Sequence, residues 1–128
     1  MKRSDVDAFE KLVGQLQSLH SELTTLAKKS PNNAVNAFKL KFVNSTLDQC
    51  NAVLGSRYMP FADFTGFTED SLPSNSDATF IISQYLECSE KFRSDNIIQE
   101  YGSWYWIIDG EYEDDRSAMT APPKKLAK

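Results

Sequence analysis

The chain is expected to fold as a mainly α protein: an antiparallel helical hairpin joined by a third helix into a small bundle, with a short aromatic β-hairpin or a fourth helix near the C-terminus. Three observations predict this. Phe9, Leu12, Leu16, Leu19, Leu23 and Leu26 recur at heptad spacing; Ser30-Pro31 and Ser74-x-x-Asp77 punctuate two further helical stretches; and residues 104–108 form an aromatic, β-prone run.

The first helix is expected over residues 4–29. Phe9, Leu16 and Leu23 recur every seven residues, with Leu12, Leu19 and Leu26 three places on, which is the spacing of a heptad seam. Ser4 with Asp7 reads as a capping-box start, and Lys28-Lys29 suit the negative end of the helix dipole. That seam, Phe9, Leu12, Leu16, Leu19, Leu23 and Leu26, is also a candidate homodimer contact. His20 lies at its margin, where a packing role outweighs a catalytic or pH-sensing one.

A second helix is expected from Ser30 as N-cap and Pro31 as first helical residue to Leu54, with Gly55 as its C-terminal cap. Val35, Phe38, Phe42, Val43, Leu47, Cys50, Val53 and Leu54 fill a wide arc, so this helix is expected to touch neighbours on two sides. Phe61, Phe64 and Phe67 follow in a stretch with neither helical nor strand period; they read as a connection pinned over the hairpin, with an exposed aromatic ridge as the rival. The third helix starts at Ser74 or Ser76, buries Ala78, Ile81, Ile82, Tyr85, Leu86, Cys88 and Phe92, and fades near Asp95. Beyond it, the 104–108 run followed by Asp109-Gly110 favours a hairpin with Tyr112 on its return strand. Residues 1–118 are expected to form one helical domain and 119–128 a flexible Lys/Pro tail.

At 128 residues, 41% apolar and 25% charged, the chain matches a single globular domain. It shows no signal-peptide pattern and no apolar run near the roughly 18 residues of a membrane helix, so a cytoplasmic location is expected. Cys50 and Cys88 are expected to be reduced thiols, and two cysteines with one histidine do not supply a zinc site. Dinucleotide, P-loop, zincin, C-x-x-C and nucleophile-elbow patterns are lacking, which implies no cofactor or metal and points away from catalysis.

Charge is unevenly placed. Residues 1–50 hold seven Lys/Arg against five Asp/Glu, whereas residues 51–118 hold four against thirteen. Only Lys28, Lys29, Lys39 and Lys41 approach a basic cluster, so nucleic acid is an unlikely partner. The densest acidic stretch runs from Asp109 to Asp115, beside Tyr101, Trp104, Tyr105 and Trp106. Tyr and Trp are enriched at binding hot spots, and one-signed charge accelerates encounter with a basic partner. The sequence therefore points to a protein-interaction module, with Trp104, Trp106 and Tyr112 as anchors and Glu111, Glu113, Asp114 and Asp115 as a steering rim. Two alternatives stand beside it: an acidic nucleic-acid mimic, and a small-ligand binder or enzyme with a pocket between the second and third helices near Tyr85, Arg93 and Asp95.

Overall fold

In the computed structural model, which describes residues 1–124, helix α1 (Arg3–Lys29) buries Val6, Phe9, Leu12, Leu16 and Leu23 on one stripe. This is the face that the seven-residue recurrence predicts, but its partner is the chain itself. Leu12, Leu16 and Leu23 lie in a core shared with Leu40, Val43, Leu47, Ile82 and Tyr85, and Leu19 and Leu26 pack half-buried against it. The seam read as a candidate homodimer contact is thus largely covered by the other helices of the same chain. The start also differs, because Asp5 rather than Asp7 reaches back, its Oδ2 accepting from the Lys2 backbone N–H at 2.8 Å. Ser4 thus sits inside the first turn.

Helix α2 (Ala37–Tyr58) begins later than expected. Asn36 is the N-cap, its Oδ1 accepting from the Lys39 N–H at 2.7 Å. The preceding segment pairs instead with the chain entering the third helix, through Val35 N–H to the Pro73 carbonyl at 2.8 Å and Asn75 N–H to the Asn33 carbonyl at 2.8 Å. Gly55, expected as the C-terminal cap, takes the left-handed φ of 64°, a conformation that side chains with a Cβ avoid, but interrupts a helix that runs on to Tyr58. Lys39 Nζ meets Glu22 Oε1 at 2.6 Å, while Ala8 and Val53 line one small cleft at the opposite end, so α1 and α2 run antiparallel. Helix α2 meets neighbours on two sides, α1 and the third helix, as expected, but Phe38, Phe42 and Val53 of its apolar arc are exposed, since no element among the described residues covers them.

Helix α3 (Asn75–Asp95) starts where the capping signal places it, with Ser74 Oγ accepting from the Asp77 N–H at 3.0 Å. Tyr85 Oη donates to Asn51 Oδ1 and Tyr58 Oη to Asp95 Oδ2, both at 2.7 Å, so α3 runs alongside α2 in the same direction. The connection must then travel back along a 22-residue helix, about 33 Å, which residues 59–74 can span, their extended reach being about 50 Å. This explains the long phenylalanine-rich stretch. Phe61, Phe64 and Phe67 pack half-buried on the helical core, and Asn44 holds the loop as a strand would, donating to the Phe67 carbonyl at 2.8 Å and accepting from its N–H at 2.9 Å.

At the end of α3, strands β1 (Ile97–Glu100), β2 (Ser103–Trp106) and β3 (Met119–Thr120) form an antiparallel sheet in that order. A hairpin is present, but its turn is Tyr101-Gly102, with φ of 52° and 82°, the left-handed pair that two-residue hairpins require. Asp109-Gly110 instead closes an isolated turn, Glu111 N–H to the Ile108 carbonyl at 3.0 Å, and Tyr112 is on no strand. Val6, Phe9, Ile97, Trp106, Ile108 and Ala118 make a second, smaller core. Residues 119–122, expected as free tail, are bound: β3 pairs with β2, and Arg93 grips the chain just beyond. Residues 125–128 of that expected tail lie outside the described residues. Among the described residues no helix is long and apolar enough to cross a membrane.

Candidate functional site

Alternation along β2 puts Trp104 and Trp106 on the inner face of the sheet. Trp106 is wholly buried, its ring 5.4 Å from Phe9 in an edge-on contact, and Trp104 packs half-buried beside it. Neither is the solvent-facing anchor that their residue type suggested. Their indoles close the lower end of a bundle whose helices alone leave Phe9 and Phe92 uncovered.

The exposed aromatics at this end are Tyr101 and Tyr112, at 77% and 72% of full exposure. Tyr101 stands on the hairpin turn and donates from its hydroxyl to Glu113 Oε1 at 3.2 Å; the adjoining Asp114 and Glu113 carboxylates push its pKa above the ordinary phenol value. The turn pair Tyr101-Gly102 was the available signal for this residue, obscured by how rarely a bulky aromatic takes positive φ. Tyr112 opens the next turn, closed by Asp115 N–H to its carbonyl at 2.9 Å.

The acidic residues divide into two sets. Glu111 accepts from the Ser117 backbone N–H at 3.0 Å and from its hydroxyl, bonds that hold its carboxyl below the ordinary range. Glu100 accepts from Arg116 Nε at 3.2 Å, and Arg116 also donates to the Glu111 carbonyl at 3.0 Å, fastening the acidic loop to the sheet. Asp109 pairs with the Met1 ammonium at 2.9 Å. Glu113, Asp114 and Asp115 make no ion pair among the described residues and face solvent. The outcome is a rigidly mounted patch of two tyrosines and three uncompensated carboxylates.

A second feature lies between α1 and α3, a cleft of about 630 Å³. The pocket expected between the second and third helices is not formed by the residues named for it. Tyr85 turns inward to Asn51, Asp95 binds Tyr58 and Lys91 on the outside, and only Arg93 reaches the observed cleft. All five Arg93 N–H groups are used: two meet Glu90 at 2.8 Å, and three meet Thr120 Oγ1 and the carbonyls of Ala121 and Pro122 at 2.7–2.9 Å. Burial opposes ionisation of Glu90, yet the hydrogen bonds from Arg93 and the Lys124 backbone N–H prevail and hold its pKa below the ordinary value.

Among the described residues no group of three or more His, Cys, Asp or Glu side chains is placed to hold a metal ion. Cys50 and Cys88 are free thiols; burial pushes Cys50 up to about 12 and raises Cys88 as well, which makes both poor nucleophiles at neutral pH. Comparison of the chain with protein-family models, with curated proteins and with solved structures finds no match.

Proposed function

We propose that this protein is a non-enzymatic interaction module that engages a basic protein partner through the tyrosine and carboxylate patch at its sheet end. One observation carries the reading: Tyr101 and Tyr112 are largely exposed beside Glu113, Asp114 and Asp115, which have no ion-pair partner among the described residues. An exposed tyrosine offers a large rigid ring with a polar tip, the group most used at binding hot spots. The one-signed rim steers a basic surface toward it. Arg116 and Ser117 hold the loop, so little ordering remains to be done on binding.

The nucleic-acid mimic is less well supported, since it needs the acidic residues on one continuous face. Glu69 and Asp70 in the connection leading to α3, and Asp77 in its first turn, lie at the opposite end of the bundle from Glu113, Asp114 and Asp115.

Affinity capture at low salt with the full chain as bait tests the proposal. Tyr112→Ser and the triple change Glu113→Gln, Asp114→Asn, Asp115→Asn are each expected to reduce recovery of a basic partner about tenfold or more. Their melting temperatures should stay within about 2 °C of the parent. Recovery that is equal for parent and variants, or insensitive to salt, overturns the reading.

A further inference from the structure

We propose that the cleft between α1 and α3 is a binding site for a small amine-bearing amphiphile, a molecule with an apolar body and one ammonium group. Its volume of about 630 Å³ is in the range of cavities that hold drug-sized ligands. Half-buried Val13 and Leu86 supply apolar surface over the buried rings of Phe9 and Trp106, while Glu10 on α1 and Glu87 on α3 stand on the two walls. Neither carboxylate makes an ion pair among the described residues. The remaining charged groups among the described residues that line the cleft are Glu90 and Arg93, which neutralise each other, and Lys124. The described lining therefore keeps one net negative charge beside its apolar surface. An anion would face two carboxylates, whereas an ammonium on an apolar body satisfies both features.

A further observation points to an occupant. Gly14 lies within α1 on the cleft wall, and a Cβ built there meets nothing within 4 Å. Glycine weakens a helix interior relative to alanine, and neither packing nor backbone conformation within the chain calls for it; what its missing side chain provides is space in the cleft. None of the sheet-end patch residues lines the cleft, so this inference stands apart from the interaction reading.

Titration of the full chain with phenethylamine, followed by amide NMR shifts at Val13, Gly14 and Glu87, tests it; 3-phenylpropionate is the control of opposite charge. The amine should give saturable shifts with Kd on the order of 1 mM, and the acid should bind at least about tenfold more weakly. Gly14→Leu should abolish binding by filling the cleft, while Gly14→Ala should raise the melting temperature by about 2–4 °C. Glu87→Gln, on the wall of α3, should weaken the amine about fivefold, and this result is independent of any effect of leucine on folding. The proposal is overturned by an absence of saturation up to about 20 mM, by equal binding of amine and acid, or by undiminished binding in Glu87→Gln and in folded Gly14→Leu.

Discussion

The two ends of the molecule are held by different physics. In the helical part, Leu12, Leu16, Leu23, Leu40, Val43 and Leu47 meet in a continuous core built by three elements of 27, 22 and 21 residues. At the sheet end the strands are four, four and two residues long, too short to bury much area, and the apolar cluster is small. Two arginines make up the difference. Arg93 and Arg116, with side chains 11% and 12% exposed, each grip a carboxylate and then backbone carbonyls of the C-terminal segment. Repeating apolar contacts suffice where helices are long; directional polar bonds are needed where the segments are short.

That contrast can be broken most severely at its aromatic hinge. Trp106→Ala should cost about 3–5 kcal/mol in denaturant unfolding. Trp106→Phe should cost under about 1.5 kcal/mol, because it keeps most of the ring and removes the unpartnered indole N–H. A loss as large for Phe as for Ala would show that Nε1 has a partner in solution.

Arg93→Met should cost about 2–3 kcal/mol, somewhat under the figure for a fully buried pair, because Glu90 keeps some solvent contact. Adding Glu90→Gln to it should recover part of the loss, and amide exchange should speed up in β3 before it does in α2. In the helical half the matching polar change is smaller: Asn44→Ala removes two bonds to Phe67 and should cost about 1–2 kcal/mol, freeing the phenylalanine loop without loosening the sheet.

The mildest probe is acid. The Glu90 carboxyl is held below its ordinary value of 4.5, so its stabilising effect is complete above that pH and is lost as pH falls through the lower folded value. Glu90→Gln should flatten the acid limb of the stability curve measured by thermal melts; an unchanged limb would assign it to other carboxylates.

Legibility followed the same division. The buried stripe of α1, the Ser74 cap and the inward face of α3 could be read because a helix maps sequence spacing directly onto a surface. The start of α2 was misread because Ser30-Pro31 and Asn36 both offer caps, and pairing of Val35 with Pro73 decided between them. Trp104 and Trp106 were misassigned as anchors for a related reason: residue type says that an indole is valuable, not which side of a sheet it faces. The exposure of Tyr112, Glu113, Asp114 and Asp115 is what their local density in the sequence leads one to expect, whereas Tyr101 lies beside Glu113 through a turn whose conformation the strand pairing imposes.

The amino-acid order determined three helices, the Ser74 cap of the third and the concentration of acid near the C-terminus, since each depends on residues within a few positions of one another. Only the tertiary structure decided that the leucine seam closes on its own chain, that Arg93 captures residues 120–122, and that a cleft opens beside Gly14. These are relations between distant segments, set by which surfaces meet once the whole chain has collapsed.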